Sequence, residues 1–177
     1  MTLYANMSRQ DLIDQLLAPR RASERNRQSL LAERLGIARE ILLRDLSSRL
    51  TEAPCLSSPD LVRQWLSLYF LGKEREVFVA LFLDTHHRLI CAEELFQGTI
   101  DFTEVHPREV VKQALRHNAA AVCVAHNHPS GNPEPSAADR AITMRLKQAL
   151  ALVDVRLLDH FVAGAGKTVS LAARGWV

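Results

Sequence analysis

Residues 119–139, AAAVCVAHNHPSGNPEPSAAD, decide how the chain is to be read. The run from Ala119 to Ala125 is short, apolar and followed by turn formers, which suits a buried strand better than a helix of that length. If the strand continues to His128, then His126 and His128 lie two apart and share a face, while Asn127 points the other way. Pro129 to Pro135 is almost entirely turn-forming, so the strand stops there and the chain must reverse or splay. Ser136-Ala137-Ala138-Asp139 then opens a helix with Ile142, Leu146 and Leu150 at fourfold spacing. Ser136 has the chemistry of an N-cap, and Asp139 falls in the first turn, directed back toward the strand end that carries the histidines.

Two imidazoles and a carboxylate, with a fourth position left to water, are the protein donors of a catalytic zinc site, where a bound water ionises near about pH 7. The same residues admit a plainer reading, in which Ser136 and Asp139 cap a helix and the histidines hydrogen-bond a loop. The order of strand, Pro/Gly loop and capped helix favours the metal reading.

His126-x-His128, seven residues, then Ser136-x-x-Asp139 resembles the metal motif of the JAMM (JAB/MPN) metalloprotein superfamily, and the wording HNHPSG resembles its bacterial RadC branch. The likeness runs from about Leu61 to the C-terminus through EVFVALFLDTHHRLI, ELFQGTI, HPREVVKQAL and LDHFVAG. It implies a metallopeptidase-like α/β fold, a mixed and largely antiparallel sheet flanked by helices in a cytidine-deaminase-like layout, with zinc held by His126, His128 and Asp139. In that superfamily an upstream glutamate is the general acid/base and the motif serine helps hold the oxyanion, a role that falls here on Ser136. Glu76, Glu93, Glu94, Glu104 and Glu109 can all supply the carboxylate. Glu76 is preferred because Glu-x-Phe at the start of the first core strand resembles the place where the superfamily keeps its glutamate. RadC proteins also resemble a helix-hairpin-helix unit followed by the metal domain. This chain departs from that pattern, with no Gly-x-Gly hairpin before the metal domain and only Gly36 in RLGIARE as a counterpart.

The remaining sequence frames this motif. Its 177 residues suit one domain plus an appendage, and a formal charge of +2 does not announce a polyanion partner. No apolar run is long enough to cross a bilayer and Met1 to Asn6 lacks a secretion-signal pattern, so the expected location is cytoplasmic. Cys55, Cys91 and Cys123 are odd in number, widely spaced and free of any CxxC, which fits buried thiols better than bridges. Cys123, three before His126, faces away from the metal. Without a Pro-Cys-x-x-Cys pair and with His-x-His in place of His-x-Glu, a nucleobase deaminase is disfavoured.

Residues 1–57 read as a helical N-terminal region and 58–177 as the metal domain. Ser8 to Asp11 has capping-box spacing, and a second periodic segment runs from Leu30 to Leu46, with Gly36 ending or kinking it. Arginines and carboxylates interleave there, the pattern of a solvated helix face. Thr51 to Asp60 reads as a linker and Pro59 as the start of a helix. Glu76–Leu83 and Arg88–Phe96 read as a strand pair joined by a turn at Asp84 to His87, with His86 and His87 exposed at its tip. Pro107 opens an amphipathic helix flanked by His106 and His117, both read as structural. Asp159 and His160, inside the apolar run Val153 to Val162, need partners. They either orient a metal-bound imidazole or form a salt link to the N-terminal helices. Gly164 to Thr168 is a hairpin turn, since its spacing fails the phosphate-loop pattern.

The expected protein is a zinc-dependent hydrolase cleaving an amide-type bond in a peptide or protein, with Glu76 and Ser136 as catalytic residues. Two alternatives stand beside it: a DNA repair or recombination module that binds or cuts DNA, and a catalytically silent scaffold.

Overall fold

The computed structural model describes residues 4, 6–18, 27–54, 59–98 and 105–177. The chain divides into two compact units, Met1–Ser48 and Arg49–Val177. In the first, helix α1 (Arg9–Leu17) starts at a full capping box: Ser8 accepts from Asp11 N while Asp11 accepts from Ser8 N. Helix α2 (Arg27–Glu52) runs through Gly36 without a break. The glycine is there for another reason: a Cβ would stand 3.3 Å from the Tyr4 hydroxyl, so small size lets that ring lie against the helix. Arg9–Asp45 is a solvated pair of the expected kind, whereas Arg44 is half-buried, pairing with Glu40 and donating to the Met7 and Tyr4 carbonyls. Because α2 reaches Glu52, the first two residues of the expected linker are helical, and Cys55 to Ser58 lie outside the described residues.

The second unit holds a five-stranded mixed sheet in the order β2-β1-β3-β4-β5. Its strands are β1 (Val77–Leu83), β2 (Leu89–Gln97), β3 (Ala121–Asn127), β4 (Arg156–Gly164) and β5 (Lys167–Ser170). All neighbours are antiparallel except β3 and β4, as expected of a largely antiparallel sheet. β1 and β3 are buried along their whole length because both lie inside the sheet with helices over it, so an unbroken apolar run replaces alternation. One face carries Phe78, Ala80, Phe82, Val122 and Val124 against Val110 and Ala114 of α4 (Pro107–Arg116) and Leu146 and Leu150 of α5 (Ala137–Ala151). Helix α3 (Pro59–Phe70) buries Leu61, Val62, Trp65, Leu66 and Phe70 and packs on β4 and β5. It stops before Gly72, whose φ of +75° suits only a residue without a side chain at low cost.

The parallel pair β3–β4 needs a crossover, and α5 supplies it. That connection sets the N-terminus of α5 above the carboxyl end of β3, the place where open α/β sheets gather their ligands. The 164–168 segment is a hairpin: Gly164 pairs with Lys167 across Ala165 and Gly166, whose φ values of +45° and +74° match a type I′ turn. His86 is exposed at the β1–β2 turn, whereas His87 is half-buried and bonded to Arg156 at 2.6 Å.

Candidate metal centre

His126, on β3, pairs with Phe78 of β1 on the helix-covered face, and only 1 % of its surface is exposed. His128 stands just past the strand end, half-buried, with its N–H donated to the Ala163 carbonyl at 2.8 Å. Asp139 reaches them from the first turn of α5. His126 Nε2 is 2.9 Å from His128 Nε2 and 3.0 Å from Asp139 Oδ1, and His128 Nε2 is 3.6 Å from Asp139 Oδ2. The structure therefore brings His126, His128 and Asp139 together, as the sequence pattern expects.

The hydrogen bonds around the three fix which ring nitrogens are bare. Thr143 Oγ1 donates to the Asp139 carbonyl at 2.6 Å, so toward His160 Nδ1, also 2.6 Å away, it accepts. His160 is buried, and burial together with the nearby His126 ring holds its pKa well below the ordinary imidazole value, so it is neutral. With its proton on Nδ1, its Nε2 accepts from His126 Nδ1 at 2.9 Å. His126 Nε2 is then left as a lone pair. On the other side, His128 Nδ1 donates to the Asn132 carbonyl at 2.8 Å, which leaves its Nε2 as the second lone pair. Two lone pairs 2.9 Å apart repel unless a cation or a proton lies between them. The donor set is thus chemically suited to a divalent ion, and the Nδ1 partners are the supports that metal-binding histidines require.

The electrostatics agree. Burial alone would raise the Asp139 carboxyl, yet when the two Nε2 positions carry protons instead of an ion, hydrogen bonds from His126 and His128, the charge of His126 and the Ser136 hydroxyl outweigh it and hold the group far below the usual range. His128 is raised, chiefly by its bond to Asp139 and also by the Asn132 carbonyl and the charges of Asp139 and Glu76, against the opposing effect of burial. One positive charge is therefore wanted between these side chains, whether a proton or a metal ion carries it.

Glu76 sits where the β1–β3 register, continued two residues beyond Phe78–His126, sets it opposite His128. Its backbone is clamped. Val77 N donates to Asn127 Oδ1 at 2.9 Å, Asn127 Nδ2 donates to the Arg75 carbonyl at 3.0 Å, and Gly98 N donates to the carbonyl of Glu76 itself. The other carboxylates are engaged elsewhere: Glu93 with His117, Glu94 with Lys73 and Tyr69, and Glu109 beside Arg108 and Lys112. Glu104 lies outside the described residues. Ser136 caps α5 and donates its hydroxyl to Asp139 Oδ2 at 2.7 Å, so in this state it orients the carboxylate.

Sequence reasoning reached His160 as one of two choices and missed Thr143 and Asn127. His160 braces His126, while Asp159, on the opposite face of β4, accepts from Ser170, Ala172 and the His160 backbone. Thr143 was in plain view, four residues after Asp139 and therefore on the same side of α5.

The loop carrying His128 is pressed onto the end of β4. A Cβ at Gly164 would meet the Gly131 carbonyl oxygen at 2.7 Å and Pro133 N at 2.8 Å. The loop is also tied to the C-terminal segment by the Glu134–Arg174 ion pair. Beside His128 a cleft of about 290 Å³ opens, lined by Phe70, Lys73, Asn127, Gly131 and Lys167 among others.

A mixed sheet with His-x-His at the end of an inner strand, and a carboxylate at the N-terminus of the crossover helix, defines a JAB-type metal-site fold. Residues 56–176 match the RadC-like JAB domain, and the chain belongs to that family. It is 61% identical over 144 residues to a UPF0758 protein of Xanthomonas campestris pv. campestris, an alignment that covers 81% of this chain and 64% of that relative. A UPF0758 protein of Methylibium petroleiphilum is 57% identical over 141 residues, 80% of this chain and 64% of its own length. The chain thus spans less than two thirds of these relatives. No helix among the described residues is long and apolar enough to cross a membrane.

Proposed function

We propose that this chain is a divalent-metal hydrolase of amide-type bonds in a peptide or protein, with zinc as the ion. The observation that carries the reading is the pair of bare Nε2 atoms converging on a carboxylate, each made bare by a partner on its far nitrogen. His126, His128 and Asp139 would hold the ion, which when bound supplies Lewis acidity and a water of lowered pKa. Glu76, half-buried and electrostatically coupled to His128, takes up a proton on its carboxylate and returns it to the leaving amine. Asn127 holds the backbone on either side of Glu76, so the carboxylate need not be ordered at the moment of reaction. Ser136 offers a hydroxyl to the developing oxyanion once it turns from Asp139. The cleft beside His128 receives the chain to be cut, with Lys73 and Lys167 at its rim.

The test is cleavage of a mixed-sequence quenched-fluorescent peptide library by the zinc-loaded 177-residue chain. Cleavage is expected from the unaltered protein, with none from Glu76→Gln at unchanged zinc content and none from His128→Ala. Unchanged turnover in Glu76→Gln removes Glu76 from the scheme, and full zinc content in His128→Ala removes the ligand set.

A further inference from the structure

A second group of metal-type donors lies on the same face of the sheet, at its β2 edge. Cys91 and Glu93 are two apart on β2, across from Phe82 and Ala80 of β1, so both point to the α4/α5 side. The pairing is regular between them and irregular just outside, with register shifts next to Leu89 and next to Phe96. Such irregularities re-aim side chains on an edge strand. His117, at the C-cap of α4, meets them: its Nε2 is 2.8 Å from Glu93 Oε1. One donor atom from each of the three residues lies within 4.8 Å of the others. The Phe82 ring, 5.0 Å from the His117 ring between centroids, closes the inner side. All three residues are half-buried, so the outer side is open to solvent.

We propose that Cys91, Glu93 and His117 form a second divalent-cation site, of the zinc class, which fastens edge strand β2 to the C-terminal end of α4. A thiolate, an imidazole and a carboxylate together suit zinc better than magnesium or calcium, which take oxygen donors. Tetrahedral bonds of about 2.0 to 2.3 Å separate donors by about 3.3 to 3.7 Å. The Cys91 sulfur, within 4.8 Å of both partners, is inside reach of that geometry, and the Glu93–His117 contact opens by about half an ångström. On binding, the Cys91 thiol releases its proton to solvent, the proton on His117 Nε2 passes through water to Nδ1 so that the ring stays neutral with a bare Nε2, and water fills the fourth position. The site does not depend on the hydrolase reading, because none of its residues touches His126, His128 or Asp139 through any bond described above.

The experiment is cobalt(II) titration of the chelator-stripped chain, followed by near-ultraviolet absorption and by elemental analysis after gel filtration. The unaltered protein should hold about two equivalents, as should any protein with two such sites, and show a thiolate-to-cobalt charge-transfer band. Cys91→Ser and His117→Ala should each lose about half the metal; in Cys91→Ser the band should vanish. The double variant His126→Ala, His128→Ala should also lose half but keep the band. Two independent substitutions at the edge site guard against a variant that fails to fold, and far-ultraviolet circular dichroism checks each. A single equivalent with no band in the unaltered protein, or a band that survives Cys91→Ser, overturns the proposal.

Discussion

The two donor clusters on one face of the sheet are built in opposite ways. At the His126 cluster, the ring nitrogens that do not face the ion site are already bonded, to His160 and to the Asn132 carbonyl, and His160 is itself held by Thr143. At the Cys91 cluster the hydrogen bond between His117 and Glu93 joins two of the donors to each other, and the Phe82 ring lies against the imidazole. The first is buried and preorganised; the second is half-open and must adjust to a cation. Preorganisation is what separates a site able to hold a reacting group in one geometry from a site able only to retain an ion.

The largest effect that would break this contrast comes from His128→Ala. Zinc at the buried set and peptide cleavage should both fall to background while cobalt–thiolate absorption at the edge persists, as absorption spectroscopy on one sample can show. Next is His160→Gln, which removes the acceptor that fixes the His126 tautomer. Zinc affinity at the buried set should drop about 10- to 100-fold, measured by competition with a chromophoric chelator, with no change at the edge. An unchanged affinity would mean that the brace is dispensable and the two clusters are alike. Thr143→Val keeps the shape but leaves the buried His160 Nδ1–H without its acceptor. It should cost about 1 to 3 kcal/mol in urea unfolding, with a smaller loss of zinc affinity than His160→Gln.

The smallest effect concerns Asp159, which neighbours His160 in sequence but faces the other way. Burial raises its carboxyl, against the opposing bonds from Ser170, Ala172 and the His160 backbone and the charge of Arg63. The folded state therefore keeps this proton to higher pH than the unfolded chain does. The stability that the group contributes is complete below the unfolded carboxylate value and is lost as pH rises through the raised folded value. Asp159→Asn should flatten the stability profile in that acidic window and leave zinc retention untouched; altered zinc retention would show that proximity, rather than face, governs the brace.

Much of this was legible in the sequence because it rests on periodicity and local chemistry. The apolar run before His126, the Pro-rich break and the Ser136 cap are short-range features, and each falls where the pattern sets it. The β1–β2 and β4–β5 hairpins were equally plain from their turn residues. What stayed hidden depends on residues far apart in the chain. Asn127 faces away from His126 and His128, and only the pairing of β1 with β3 brings its amide to Arg75 and Val77. His117 read as a structural residue at a helix end, since nothing local to it indicates that Cys91 and Glu93 will arrive on a neighbouring strand. Gly36 was misread for the same reason. Its helix-breaking tendency is local, whereas the Tyr4 ring that needs its missing side chain comes from 32 residues earlier (36 − 4).

The close approach at Gly164 bears on tolerance to change. His128 stands on a ledge made of main chain against main chain, where a single added methyl group has no room. A carbon atom inserted there would push the 131–133 loop away from β4 and shift the His128 ring relative to His126 and Asp139. Because the obstacle is backbone rather than a side chain that could swing aside, such a change would cost stability and displace the histidine in the same step.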